Sequence, residues 1–134
     1  MTHTLLYLDS SAILKIIVAE PESQALFKFL KDWPLRISSE LARTEVLRAL
    51  RRAGATVPEF RRGQKTLQRI DLIPVDSRII NDAAMLKPPA LRTLDAVHLA
   101  TALSVRPELA AVVTYDGRFS EAATGVKLSV WSPH

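Results

Sequence analysis

Four acidic residues stand where acids are usually costly, and together they suit metal-assisted phosphate chemistry. Asp9 directly follows the apolar run Leu5-Leu6-Tyr7-Leu8, and Asp116 lies just past Ala111-Val112-Val113-Thr114. Asp95 sits between Leu94 and Ala96-Val97, and Glu45 adjoins Val46-Leu47. Carboxylates gathered at one place repel each other and lose hydration. They either take up protons at raised pKa values or bind a cation. Carboxylate oxygens are the ligands that hard Mg²⁺ or Mn²⁺ prefers, and Mg²⁺ takes only about one or two of them directly while keeping several waters. Four acids can therefore serve one or two ions. Such an ion activates and orients a water and stabilises the leaving oxygen of a phosphodiester. No His/Cys constellation or nucleophilic serine signature offers rival chemistry.

Each acid alone has an ordinary explanation. Asp9, beside Ser10 and Ser11, suits a helix cap. Asp95 in a first helical turn is favoured by the helix dipole. Glu45 is spaced to pair with Arg48 or Arg52 on a solvated helix face. Asp116 before Gly117 is a common turn pair. What sets the four apart is that the chain's pattern aims them all at one edge.

That pattern alternates strands and helices. Leu5–Leu8, Leu35–Ser38, Leu72–Val75, Ala111–Thr114 and Val126–Trp131 read as strands, with Pro74 restricting the third to an edge. Helices are expected from Ser10 or Ser11 to Val18, over 22–31, from Ser38 or Ser39 to Ala53 with Gly54 as the stop, and from Pro58 to Ile70. Further helices are expected from Asp76 or Ser77 to Leu86, over Leu94–Val105 with Thr93 as cap, and over 118–124. The order predicts one α/β domain over residues 1–134, with a mainly parallel sheet and helices on both faces. Ligands of such sheets bind beyond the carboxyl ends of the strands, where strand order reverses. Asp9 and Asp116 end strands there. The Asp95 helix leads back into strand 111–114, so its first turn lies at that edge. The Glu45 helix leaves the second strand and starts there too. Acids 36, 50 and 21 residues apart can thus share one cleft.

Composition narrows the remaining possibilities. Among 134 residues 48% are hydrophobic and 24% charged, in line with a soluble globular domain. There is no cysteine, which excludes disulfides and thiolate metal sites. No stretch approaches the roughly 20 consecutive apolar residues of a membrane span, and the start lacks a signal peptide's basic region. A cytoplasmic protein is expected. The formal net charge is +4. Arg43, Arg48, Arg51, Arg52, Arg61, Arg62, Lys65 and Arg69 are opposed in their stretch only by Glu45 and Glu59. This run suits either a solvated face or an RNA-phosphate contact. His98, Trp33 and Trp131 read as packing or supporting residues. No glycine-rich nucleotide loop is present.

The sequence resembles the PIN-domain nucleases, specifically the VapC-type toxins of type II toxin–antitoxin modules. The resemblance is carried by Tyr7-Leu8-Asp9-Ser10-Ser11-Ala12, Ser38-Ser39-Glu40-Leu41-Ala42-Arg43-Thr44-Glu45-Val46, Leu94-Asp95-Ala96-Val97-His98-Leu99-Ala100 and Thr114-Tyr115-Asp116. They occur in the family's order and span essentially the whole chain. The resemblance implies a three-layer α/β/α domain and Mg²⁺- or Mn²⁺-dependent endoribonuclease activity. It implies that Asp9, Glu45, Asp95 and Asp116 form the acidic site. Asp9 and Asp95 would be the most direct metal ligands, with Thr114 in support. It also implies an RNA substrate, a homodimer, and a cognate antitoxin laid across the cleft.

Two other readings stay open at this stage. One is a receiver-like signalling domain phosphorylated on an Asp. Its usual acidic pair after the first strand is replaced here by serines, and Lys127 does not precede a proline. The other is an RNA-binding or interaction domain whose PIN site is degenerate.

Overall fold

The apolar run at the start of the chain becomes the centre of the sheet. The computed structural model describes residues 3–134. Strands β1 (Leu5–Leu8), β2 (Arg36–Ser39), β3 (Asp71–Ile73), β4 (Leu109–Val113) and β5 (Val130–Trp131) pair in the order β3-β2-β1-β4-β5. Every pairing is parallel. The helices are α1 (Ser10–Ile17), α2 (Ser23–Leu30), α3 (Leu41–Arg52), α4 (Val57–Gln68), α5 (Ser77–Ala84), α6 (Thr93–Ser104) and α7 (Gly117–Gly125). No helix among the described residues is long and apolar enough to cross a membrane.

Strand periodicity divides the core into two layers. Leu6, Leu8, Ala111 and Val113 face α1 to α4, packing on Ile13, Leu26, Val46 and Leu67. Their neighbours Tyr7, Ile37 and Val112 face the opposite way, onto Leu99 of α6 and Phe119 of α7. Helix α5 packs on α6 through Ile79, Ala83, Ala96 and Ala100. The result is the expected α/β/α sandwich with a parallel sheet. Strand order reverses between β1 and β4, so a crevice opens beyond their carboxyl ends.

Several boundaries differ from those read in the sequence. The second strand is displaced by one residue to Arg36–Ser39, and β4 starts at Leu109. Helix α4 begins at Val57 because Thr56 and Glu59 form a capping box. Only Val130–Trp131 of the expected last strand pairs with the sheet. Val126 instead closes α7, its N–H meeting carbonyls of that helix's last turn, and Lys127 takes a positive φ of 65°. Trp33 and Trp131 pack with Phe29 in one aromatic group.

The close seating of α4 against α1 and α3 depends on Gly63. A Cβ there would stand 2.6 Å from Leu50 Cδ1 and 3.6 Å from Ile17 Cδ1. Overpacking of this kind costs about 1–3 kcal/mol, offset by the about 0.5–1 kcal/mol that alanine gains in a helix. Gly63→Ala should therefore lower the urea midpoint with an unchanged slope. An unchanged midpoint would mean that Leu50 swings aside freely.

Candidate active site

All four acids lie at the crevice beyond β1 and β4. Asp9 caps α1 directly after β1 and is only 5% exposed. Its Oδ1 accepts hydrogen bonds from Ser11 Oγ at 2.6 Å and the Ala12 N–H at 3.0 Å. Its Oδ2 accepts from Thr114 Oγ1 at 2.5 Å. Burial raises the Asp9 pKa above its ordinary 3.8, and these hydrogen bonds only partly oppose the rise. The Thr114 hydroxyl in turn accepts from the Asp116 N–H at 3.0 Å, tying the first acid to the fourth. Asp116 caps α7, its Oδ1 receiving the N–H groups of Arg118 and Phe119.

Glu45 reaches the crevice from α3 and is held from two sides. Ser10 Oγ donates to its Oε1 at 2.5 Å, and His98 Nε2 meets the same oxygen at 2.5 Å. His98 is buried, and its Nδ1 lies 2.6 Å from the Tyr7 hydroxyl. Complete burial keeps that hydroxyl protonated by raising its pKa well above 10.0. Tyr7 therefore donates to Nδ1, which fixes the Nε2–H tautomer that serves Glu45. Burial alone would raise the Glu45 pKa. The hydrogen bonds from His98 and Ser10 outweigh it, and Glu45 lies below its ordinary range. Glu45 is thus an ionised acid on a buried Tyr–His mount rather than a partner of Arg48 or Arg52.

Asp95, in the first turn of α6, shares a guanidinium with Asp116. Arg92 Nε donates to Asp95 Oδ2 at 2.9 Å, and Arg92 Nη2 donates to Asp116 Oδ2 at 3.3 Å. No basic residue was expected beside the acids, so this is a correction. Two of the four are already bridged by a cation. The expected Thr93 cap is also absent, since Arg92 takes that position without a side-chain cap.

Thr114 and Arg92 link Asp9, Asp116 and Asp95, Glu45 is held separately by Ser10 and His98, and the four do not close into a cage. Among the described residues, no three His, Asp or Glu side chains are grouped tightly enough to surround a metal ion. Asp95 Oδ1 and Glu45 Oε2 accept no protein hydrogen bond among the described residues, and neither is a buried orphan. Open, solvent-reached carboxylate oxygens with no soft ligand fit a hard cation that keeps most of its water.

Sequence reasoning read Ser10 and Ser11 as caps, whereas their hydroxyls serve the acids. It did not single out Arg92. It set His98 aside as a core or supporting residue, which is where the structure puts it.

A parallel 3-2-1-4-5 sheet with acids beyond the carboxyl ends of β1 and β4 defines an α/β domain with an acidic crevice at its switch point. Residues 6–125 match the PIN domain family. The chain belongs to that family, and within it to the VapC group. It is 45% identical over 128 residues to ribonuclease VapC46 of Mycobacterium tuberculosis, covering 96% of this chain and 97% of that one. Ribonuclease VapC35 of the same organism is 44% identical over 135 residues, with the same coverage. Among solved structures, a toxin–antitoxin complex from Klebsiella pneumoniae aligns with a TM-score of 0.72 at 20% identity, covering 96% of this chain and 98% of that chain. Mycobacterium tuberculosis VapC20, described as a sarcin–ricin loop cleaving toxin, aligns with a TM-score of 0.71 at 14% identity, covering 96% and 99%. At these identities the two structures speak for the fold.

Proposed function

We propose that this protein is the toxin of a type II toxin–antitoxin module: a Mg²⁺- or Mn²⁺-dependent endoribonuclease acting in the cytoplasm, with Asp9, Glu45, Asp95 and Asp116 as its site and residues 1–134 as one nuclease domain. The observation that carries this reading is the convergence of four acids on the β1/β4 crevice, three of them linked through Thr114 and Arg92, with open oxygens on Asp95 and Glu45. The VapC ribonuclease relatives supply the reaction class.

Asp9 and Asp95 are the residues that would hold the cation, with Glu45 and Asp116 completing the site directly or through water. When bound there, a divalent cation would lower the pKa of a water and stabilise charge on the leaving oxygen. Glu45, kept ionised by His98 and Ser10, accepts a hydrogen bond from the attacking water and orients it. Asp9, gripped by Ser11, Ala12 and Thr114, cannot turn away from the crevice. Asp116 anchors the start of α7 while its second oxygen faces the cleft. The antitoxin is the natural inhibitor in this reading. It would cover the same edge with a basic side chain opposite the acids, and the toxin would act as a homodimer.

The cleavage test uses antitoxin-free protein and total RNA from its own host. Discrete fragments are expected with Mg²⁺ or Mn²⁺ and none with EDTA. Folded, metal-supplied wild type that leaves all RNA intact would favour the degenerate-site reading.

The basic face of α3 gives the substrate a path. Arg48 and Arg52 follow Glu45 at i+3 and i+7, along one side of the helix, and both are exposed without an ion pair among the described residues. They extend about 10 Å from the acids, at about 1.5 Å per residue. For Arg48→Ala/Arg52→Ala, the slope of log affinity against log salt should fall by about 1.4, at about 0.7 per phosphate contact on single strands. The measurement is fluorescence anisotropy on a cleavage-dead background. An unchanged slope would make this a solvated face only.

A further inference from the structure

Beside Asp95, away from the α3 track, lies a cavity of about 550 Å³ between the α5–α6 loop and α7. That volume is within the roughly 300–1,000 Å³ of small-ligand sites. Its apolar lining comes from Pro88 and Leu91 of the loop and Ala122 of α7. Lys87 and Arg118 stand at its rim, and neither has an ion pair among the described residues. Arg92 also lines it. Its guanidinium donates through Nε to Asp95 and through Nη2 to Asp116, and bonds from two nitrogens of one planar group fix the plane.

We propose that this cavity is a nucleotide subsite, holding the RNA residue next to the scissile phosphate. The inference rests on the ribonuclease reading and adds the part of the substrate recognised by this side of the cleft. An apolar lining together with a guanidinium held by two carboxylates suits a nucleobase, because bases stack on arginine planes and apolar surfaces alike. Lys87 and Arg118 meet the phosphate of the same nucleotide. Glu121, also lining the cavity, offers an acceptor to base N–H groups and so favours bases that carry an exocyclic amine. Because Asp95 and Arg92 belong to both the cavity and the acidic cluster, a nucleotide seated here has its phosphodiester at the carboxylates.

The test is a titration of isotope-labelled wild type with 5′-AMP, 5′-GMP, 5′-CMP and 5′-UMP in EDTA at low salt, followed by amide NMR. Saturable shifts are expected over residues 87–92 and 118–125, and Lys87→Ala/Arg118→Ala should weaken them at least tenfold. Both side chains are exposed, so the double variant is expected to keep the wild-type melting temperature. The same variant should lose about tenfold in kcat/KM on RNA while its Mn²⁺ affinity is unchanged. Absence of shifts in this region would overturn the proposal. So would inorganic phosphate reproducing the whole pattern, Leu91 and Ala122 included, which would mark an anion site. Tighter binding there by an acidic hexapeptide than by any nucleotide would also overturn it and assign the cavity to a protein partner. Binding is read without metal or turnover, so a protein that bound nucleotides here yet cut no RNA would refute the ribonuclease reading and not the subsite.

Discussion

Asp9→Asn should lower RNA cleavage by about 100-fold or more while leaving the metal-free protein as stable as wild type or more so. The combination separates the two roles that Asp9 can have. Asn is as good a helix N-cap as Asp, so a residue that only capped α1 would tolerate the exchange in every assay. A metal ligand would not. The stability half follows from burial. Its raised pKa means that the fold favours the protonated acid. That preference stabilises the fold below the unfolded pKa and is lost as pH rises through the higher folded value. At neutral pH the buried carboxylate therefore weakens the metal-free fold, and Asn removes the charge. Melting in EDTA at neutral pH, alongside cleavage with Mn²⁺, checks both halves. Wild-type cleavage by the variant would reduce Asp9 to a cap.

His98→Ala should cost about 3 kcal/mol of stability and most of the activity. It removes a buried side chain, leaves the Tyr7 hydroxyl without its partner, and leaves Glu45 Oε1 held by Ser10 alone. An unsatisfied buried polar group costs about 1–3 kcal/mol, to which the lost packing adds. Tyr7→Phe removes one hydrogen bond and keeps the ring, so about 1–2 kcal/mol is expected. The order wild type, Tyr7→Phe, His98→Ala in urea midpoint is the checkable result. If both variants unfolded at the wild-type midpoint, the Tyr7–His98–Glu45 chain would not be holding Glu45.

The sequence showed the strands best where they are buried on both faces. Leu5–Leu8 matches its expected bounds because a continuous apolar run flanked by Asp and Ser permits little else. The last strand failed for a physical reason. Val126, Leu128 and Val130 alternate as a strand would, but Val126 is used to close α7 and the positive φ at Lys127 breaks the run. Asp9-Ser10-Ser11 offered three possible caps within three residues. Only the contacts reveal that the acid caps the helix while the serines bind Glu45 and Asp9. Of the candidate site, the four acids and their shared edge were legible from strand ends and helix direction. Arg92 was not. Its partner Asp116 is 24 residues away, and nothing in the spacing of Leu91-Arg92-Thr93 marks it as a bridge.

The most direct test of the four-acid site is the position of Mn²⁺ in a crystal soaked with that ion, located by its anomalous signal. A peak is expected at the β1/β4 crevice, in direct contact with an oxygen of Asp9 or Asp95 and within one water of Glu45 and Asp116. Occupancy should be lost in Asp9→Asn. A well-occupied peak elsewhere, or none in the crevice at saturating Mn²⁺, would contradict it.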